Sequence, residues 1–220
     1  MPSMYETIME LPLFKGIGEE QLSQMLEKTS VEFLKYDDGE TIAQSEDPVV
    51  SINFILGGRV RQTYQLENFP LAVDEILGKG SLLGALHLYG METTYTATSI
   101  ALGKVSLMKI GKAQYMNILL SDRIYLLNFL NYLSAAAQKS AELIRNTKEM
   151  SINRILETLA FSIVSRSAET VMVAGEDKDI ASYCGVSDKQ FEEWKTSQLA
   201  HNKIMVNNRG IFLKSPHLMR

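Results

Sequence analysis

Cysteine is almost absent from this chain: Cys184 is the only one among 220 residues. A disulfide within the chain is therefore excluded, and so is an iron–sulfur cluster held by several thiolates. The three histidines, at positions 87, 201 and 217, form no close-spaced metal-binding pair. We therefore expect no metal or cofactor. Cys184 is predicted to be a small buried apolar residue, and a single cysteine fits a reducing cytosol.

Long apolar runs and catalytic signatures are missing as well. No apolar run reaches the roughly 18 residues that a membrane helix needs, and no secretory signal is evident. The sequence therefore predicts a cytoplasmic chain with no membrane partner. No Ser-His-Asp order or Walker loop stands out, and Gly78-Lys-Gly80 lacks the spacing of a phosphate-binding loop. An enzyme is therefore not expected.

Net positive charge is also lacking, because the whole chain carries a formal charge of −4. The charge is uneven: residues 1–150 hold 13 Lys and Arg against 18 Asp and Glu, a net of −5. Residues 151–220 hold 9 against 8, a net of +1. The C-terminal part is thus relieved of the acidity, although it is not a basic patch of the kind that coats DNA.

The segment from Glu176 to Leu199 predicts two helices joined by a tight turn. Gly185 has the position of a helix C-terminal residue, and Ser187 that of an N-cap. This spacing alone fits an αα-hairpin with no DNA role as well as it fits a helix-turn-helix. Two short predicted strands follow, at 204–206 and 211–213, joined by an Asn-Asn-Arg-Gly turn. Two helices followed by such a hairpin predict a winged helix-turn-helix, which displays the first turn of its second helix to DNA.

The N-terminal half has a different pattern, typical of short antiparallel strands. A short amphipathic helix at residues 18–26 precedes segments that are separated by Gly- and Asp-rich turns. The predicted strands are 31–36, 41–43, 52–56, 60–64, 71–77, 94–100 and 105–110. Such spacing predicts an antiparallel β-roll. The fold class is therefore α+β, with a roll domain over 1–121, a helix over 122–149 and a winged helix-turn-helix domain over 150–220.

The predicted helix from residue 122 to 149 contains neither Gly nor Pro. Apolar or small residues recur at heptad spacing along it, at Leu126, Leu130, Leu133, Ala137, Ser140, Ile144 and Thr147. Such a seam could pack against the chain's own roll. We favour a parallel homodimer, because a roll followed by a long helix leaves few partners within the chain.

Roll, helix and winged helix-turn-helix, in this order, resemble the Crp-Fnr superfamily of bacterial transcription regulators. The likeness spans nearly the whole chain and is carried by short collinear segments. These are Leu11 to Ile17, Tyr36 to Ile42, Phe54 to Val60, Lys79 to Gly84, Asn153 to Leu159 and Asp179 to Ser187. The resemblance implies a roll that senses an effector and a homodimer that places two helix-turn-helix units on palindromic double-stranded DNA. RNA polymerase is a further candidate partner.

The effector site departs from the cyclic nucleotide pattern of this family. Gly84-Ala85-Leu86 replaces the family's Gly-Glu-Leu, and Tyr95-Thr96 replaces its Arg-Thr. On the long helix, Ser140-Ala141 keeps only half of a base-contacting Thr-Ser pair. Losing two charged hydrogen bonds weakens binding by roughly 10²- to 10⁴-fold, so cyclic AMP is not the expected ligand. Three alternatives stay open: a filled roll without ligand, an uncharged or apolar ligand, and a cyclic nucleotide.

His87 falls near the loop where haem-binding relatives place a histidine, although it is displaced by one residue. We interpret it as a partly exposed polar residue of the roll rather than as a haem ligand.

The predicted DNA-binding residues also depart from the family, since Asp188 and Glu193 stand where members that recognise guanine carry arginines. We expect Lys189 and Gln190 at the start of the second helix to meet bases, and Gln190 to be able to recognise adenine. Ser187, the N-cap of this helix, belongs to the same candidate DNA-binding site. Lys195, Lys203 and Arg209 are expected to contact phosphates. Two functional classes stay open: a sequence-specific dimeric regulator, and a regulator-derived protein that acts through protein contacts.

Overall fold

The computed structural model describes residues 4–145, 151–164 and 167–213, with the side chains of 140–145 left aside. The chain divides into two compact units. The N-terminal unit combines Met1–Val60 with Gly78–Ala136, and the C-terminal unit combines Arg61–Leu77 with Ala137–Arg220. A segment from within the predicted roll thus lies with the C-terminal residues, whereas the boundaries predicted from the sequence run in chain order.

The N-terminal unit begins with two short helices, α1 (Met4–Met9) and α2 (Glu19–Lys28), separated by a 3-10 turn at Pro12–Phe14. Leu22 and Met25 of α2 are buried, as the amphipathic pattern predicts. At the start of α2 the Gln21 side chain accepts a hydrogen bond from the Gly18 amide at 3.1 Å. This bond satisfies one of the amides that an α-helix leaves unpaired at its N-terminus.

Antiparallel strands form most of this unit. They are β1 (Val31–Tyr36), β2 (Thr41–Ala43), the first part of β3 (Ser51–Gln65), β5 (Leu82–Leu83) and β6 (Thr98–Gly111), whereas β4 (Ala72–Leu77) belongs to the C-terminal unit. The long β6 lies between β1 and β3, and its register with β1 runs from Val31↔Ile110 to Tyr36↔Val105. β2 pairs with β6, and β5 pairs with β3. The antiparallel roll predicted from the sequence is therefore present.

Several predicted strand boundaries are wrong: the predicted strands 94–100 and 105–110, for example, form the single strand β6. Segments 52–56 and 60–64 form one strand, β3, because its backbone continues through Gly57-Gly58. A Cβ atom at Gly58 would overlap the Lys104 carbonyl oxygen, so glycine here permits a close approach of two strands rather than a turn. Residues 94–97 are not part of β6. There the Tyr95 backbone bonds to the amide of Glu46 and the carbonyl of Asp47, at 2.7 and 2.9 Å.

Two helices follow the roll, α3 (Lys112–Ser121) and α4 (Arg123–Arg145). The sequence predicted only one helix over 122–149, and 146–149 lie outside the described residues. Asp122 separates α3 from α4, because its extended backbone (φ −151°, ψ 136°) cannot continue α3. Its carboxylate accepts a hydrogen bond from the Ile124 amide at 2.8 Å and so caps the first turn of α4.

α4 has apolar side chains in two different environments. Tyr125 and Phe129 are buried in the core of the N-terminal unit, where Phe129 packs edge-on against Tyr115 at 5.5 Å between ring centres. Leu126, Leu127 and Leu130 are exposed. The helix therefore packs on its own roll through one stripe, and a second stripe is exposed among the described residues.

The C-terminal unit contains α5 (Ile152–Ile163), β7 (Ala168–Ala174), α6 (Asp177–Tyr183), α7 (Asp188–Ala200), β8 (Ile204–Asn207) and β9 (Gly210–Leu213). The helices predicted on either side of Gly185 and the hairpin that follows them are thus present. Its strands are hydrogen-bonded in the order β4-β7-β9-β8, all antiparallel. β7 was not predicted. Within the described residues, no helix is both long enough and apolar enough to cross a membrane.

Candidate functional site

The loop that follows β5 carries the predicted effector residues of the roll. Gly84 adopts φ +79°, and a Cβ atom there would lie 2.9 Å from Val49 Cγ1 and 3.2 Å from the Tyr95 hydroxyl. Gly84 and Tyr95 are thus brought together, with no room for a side chain between them. Ala85 is buried, whereas Leu86 is exposed. The Ser140 side chain lies outside the described residues.

Tyr95 is predicted from the sequence to stand in place of a phosphate-binding arginine. Its hydroxyl oxygen accepts a hydrogen bond from Asn53 Nδ2 at 3.2 Å, and Asn53 itself is buried. Burial raises the pKa of the Tyr95 phenol above its ordinary value, so the group is neutral at physiological pH. A neutral phenol bonded to a buried amide supplies no positive charge to a phosphate.

Two further residues fasten this loop. Tyr89 donates its hydroxyl to the Lys112 carbonyl oxygen at 3.1 Å, and its ring packs edge-on against Phe129 of α4 at 6.0 Å. His87 is partly exposed, as predicted, and its Nε2 lies 3.5 Å from the hydroxyl of Thr96. No group of three or more potential metal-ligating side chains occurs among the described residues.

The turn between α6 and α7 has the geometry predicted for it. Gly185 adopts φ +68° at the end of α6. Ser187 caps α7: its hydroxyl accepts from the Gln190 amide at 3.4 Å, and Gln190 Oε1 accepts from the Ser187 amide at 3.1 Å. This reciprocal pair of hydrogen bonds is a capping box. The side-chain oxygen of Gln190 is therefore already used as a hydrogen-bond acceptor within the turn.

Buried side chains hold α6 and α7 in place. Ile180 of α6 and Phe191 of α7 are fully buried, and so is Cys184 to within a few per cent. Trp194 donates its indole N–H to Asn153 Oδ1 at 2.7 Å, which links α7 to α5. Cys184 is the buried apolar residue that the sequence predicts. The first turn of α7, from Asp188 to Gln190, is exposed.

The predicted DNA-contacting cations differ in their surroundings. Lys195 is only 14 % exposed and lies between the carboxylates of Asp177 and Glu192, the latter at 2.7 Å. Lys189 is 87 % exposed, with Glu193 Oε1 4.0 Å away. Lys203 is exposed next to the β8–β9 hairpin.

Arg209, in the turn between β8 and β9, binds a residue that the sequence analysis missed. Its Nη2 lies 2.6 Å from Oδ2 of Asp74 in β4. Asp74 is only 4 % exposed, and its other oxygen accepts from the Thr63 hydroxyl at 2.7 Å. The sequence did carry a sign of this contact, since Asp74 and Glu75 are adjacent acids inside an otherwise apolar strand. Acids buried in such a strand need hydrogen-bonding or charged partners from elsewhere in the chain.

Comparisons with known proteins agree with this architecture. The family model for the cyclic nucleotide-binding domain matches residues 33–122. None of the curated protein sequences matches this chain. Among solved structures, the catabolite activator protein of Thermus thermophilus is similar with a TM-score of 0.54 at 17% identity, covering 94% of this chain and 95% of that chain.

A transcriptional regulator of Thermotoga maritima is also similar, with a TM-score of 0.50 at 20% identity, covering 58% of this chain and 98% of that chain. At these identities the likeness concerns the fold. The predicted resemblance is thereby supported at the level of the fold: residues 33–122 match the cyclic nucleotide-binding domain family, and the chain has a fold similar to that of the catabolite activator protein.

Proposed function

We propose that this protein is a homodimeric, sequence-specific DNA-binding transcriptional regulator whose roll does not respond to cyclic AMP. The observation that carries the proposal is the capped turn between α6 and α7, which leaves Lys189 and Gln190 exposed at the start of α7. The β8–β9 hairpin follows directly, which is the element order of a winged helix-turn-helix. Palindromic double-stranded DNA is the proposed partner.

The exposed stripe of α4 supports the homodimer. Leu126, Leu130 and Ala137 are predicted seam positions, and all three are exposed in the single chain. Burying apolar surface stabilises association by roughly 25 cal/mol for each Å² removed from water. A second copy presenting the same stripe would cover it by two-fold symmetry. A dimer would also supply two α7 helices for the two halves of a palindromic site.

The proposed roles of the interface residues follow their exposure. Lys189 and Gln190 contact base edges, and Ser187 orients them through the cap. Lys203 contacts phosphate directly. Lys195 and Arg209, which the sequence also assigns to phosphates, are held by carboxylates in this structure and could reach a phosphate only by leaving them. For Arg209 this release is unfavourable, because the buried Asp74 would lose its partner at a cost of about 3–5 kcal/mol, whereas the acids that bind Lys195 are not buried.

The effector proposal rests on the environment of Tyr95. A cyclic phosphate carries one negative charge, and Ala85 and Tyr95 offer it no cation. We propose a roll that is filled by its own side chains around Gly84 and is held in one state without ligand. An uncharged or apolar small molecule in contact with the exposed Leu86 is the alternative effector.

A second function is favoured by the charges around α7: Asp188, Glu192 and Glu193 are all exposed there. A protein descended from a regulator could have lost strong DNA binding and act through protein contacts, with RNA polymerase among the candidates. Neither candidate function is enzymatic.

Selection of duplexes from a random pool by the purified protein distinguishes these functions. A palindromic consensus supports the regulator. Lys189→Ala should reduce the enrichment of that consensus, whereas Lys35→Ala, a control at an exposed position of β1, should leave it unchanged. An unenriched pool over several rounds, from a protein that is folded by circular dichroism, would favour the protein-contact function instead.

A further inference from the structure

The C-terminal unit contains one strand, β4, that comes from the N-terminal half of the chain. β4 pairs with β7 in antiparallel register from Ala72↔Ala174 to Leu77↔Ala168. Val73 of β4 and Val173 of β7 face each other in this register, and both are fully buried. The pairing therefore extends, by one full strand, the sheet that contains the β8–β9 hairpin.

The same segment also contacts α6. Phe69, in the turn before β4, packs edge-on against Tyr183 at 5.0 Å between ring centres. Segment 61–77 thus contacts both parts of the proposed DNA-binding unit, the hairpin through Asp74 and the first helix of the turn through Phe69.

Strand β4 carries two buried acids, Asp74 and Glu75, and each is bound by other side chains. Side chains at neighbouring strand positions point to opposite faces of a sheet, so Asp74 and Glu75 need separate partners. Glu75 accepts a hydrogen bond from the Tyr64 hydroxyl at 2.7 Å. Asp74 accepts hydrogen bonds from the Thr63 hydroxyl and from the Arg209 guanidinium. Arg209 is the cation that Asp74 contacts, and a buried carboxylate is costly without one.

Arg209 is held by its backbone as well. Its amide donates to Asn207 Oδ1 at 2.8 Å, and its carbonyl accepts from the Gly175 amide at 3.0 Å. With the backbone held in this way, the guanidinium can move away from Asp74 only by rotation about the side-chain bonds of Arg209. Its side chain is 46 % exposed, which leaves part of it accessible to a competing anion.

We infer that Asp74 is an internal substitute for DNA phosphate: while β4 is paired with β7, it retains Arg209 and keeps the β8–β9 hairpin from contributing a phosphate contact. The inference rests on the proposed function. Releasing the guanidinium would leave the buried Asp74 carboxylate without its cation, which is costly. The return would be one Arg209–phosphate contact at a surface exposed to water, which stabilises the complex less. Arg209 therefore stays bound to Asp74 for as long as segment 61–77 remains in the sheet.

The experiment measures the affinity for a non-cognate duplex against salt concentration. Asp74→Asn keeps the size of the side chain and the bond to Thr63 but removes the charge that retains Arg209. We expect the slope of log affinity against log salt to steepen by about 0.9, the value of one phosphate contact. Between 50 and 200 mM salt this corresponds to about a threefold greater loss of affinity.

Three further variants make the test specific. Asp74→Asn combined with Arg209→Ala should return to the wild-type slope. Arg209→Ala alone should leave the slope unchanged, because the wild-type arginine makes no phosphate contact. Glu75→Gln neutralises the neighbouring buried acid on the other face and should not steepen the slope, which controls for general loosening of β4.

The outcomes separate the two proposals. Equal slopes for the wild type and Asp74→Asn would overturn the inference while leaving DNA binding intact. So would a loss of about 0.9 in Arg209→Ala alone, and this variant decides the matter even if Asp74→Asn does not fold. Absence of duplex binding by every folded variant would reject the proposed function, and with it the inference.

Discussion

Asn53 donates its side-chain amide to the Tyr95 hydroxyl at 3.2 Å, and this bond closes the wall of the roll where Gly84 leaves no space for a side chain. The pair joins β3 to the irregular segment before β6. In the proposed ligand-free roll this internal contact stands where a charged group would otherwise face a ligand.

The first prediction concerns cyclic AMP. Calorimetric titration should give a dissociation constant in the millimolar range or weaker, because two charged hydrogen bonds of about 1.5–3 kcal/mol each are missing. Ala85→Glu combined with Tyr95→Arg should recover part of the binding. A micromolar constant for the unaltered protein would contradict this prediction.

The second prediction concerns the stability of the roll. Tyr95→Phe removes the acceptor of Asn53 and should lower the free energy of unfolding by about 1–3 kcal/mol, because a buried donor is left unsatisfied. Chemical denaturation measures the change. Asn53→Ala with Tyr95→Phe should cost less than the sum of the two single changes, and strict additivity would mean that the two side chains do not interact.

The third prediction concerns assembly. Leu126→Lys with Leu130→Lys places two charges in the exposed stripe of α4 and should convert dimers to monomers in sedimentation velocity. Leu133 packs against the core of the N-terminal unit and is therefore unsuitable for this test. Asn131→Lys adds a charge at an exposed position of the same helix outside the seam and should leave the dimer intact. Unchanged dimers in both variants would place the interface elsewhere.

The fourth prediction separates the two roles of Gln190. Gln190→Glu keeps an acceptor for the Ser187 amide, so the capping box and the stability of α7 should persist. The amide donor that adenine recognition requires is lost, which should cost about 1–3 kcal/mol at the preferred site. Gln190→Ala should lose both the cap and the preference. Equal sequence selectivity in the wild type and Gln190→Glu would show that this residue only caps the helix.

The fifth prediction concerns pH and Cys184. Burial raises the pKa of this thiol from 9.0 to about 11, so the folded protein binds more protons than the unfolded chain between these values. The contribution to stability is fully present below about pH 9 and is lost as the pH rises towards 11. Native thiol alkylation at pH 8 should be much slower than alkylation in denaturant. Cys184→Ala should remove this part of the alkaline destabilisation.

Local signals sufficed for much of the C-terminal part. Gly185 and Ser187 mark the ends of α6 and α7 because helix caps depend on neighbours within three residues. Strands β1 and β2 were likewise predicted from short segments bounded by Gly- and Asp-rich turns. α3 was missed because its apolar positions, Tyr115, Ile118 and Leu119, are covered by the roll and show no amphipathic contrast.

Contacts between distant segments were beyond such signals. Gly57-Gly58 has the composition of a turn, and only the proximity of Lys104 explains why a strand continues through it. The surroundings of Arg209 depend on Asp74, which lies 135 positions away. No local pattern connects these two residues. DNA-contacting residues could therefore be predicted from their charge and position in the sequence. The carboxylates that bind Lys195 and Arg209 could not be predicted in this way.

The pairing of β4 with β7 also has a consequence for the order in which this chain acquires its structure. Ala72 and Ala174 are partners about 100 positions apart. At about 5–20 residues per second of synthesis, the edge of β4 waits several seconds for its partner to be made. During that interval it exposes Val73 and Leu77, and strand edges of this kind recruit other chains. The adjacent charges of Asp74 and Glu75 then protect an unfinished edge from aggregation before they bind their final partners.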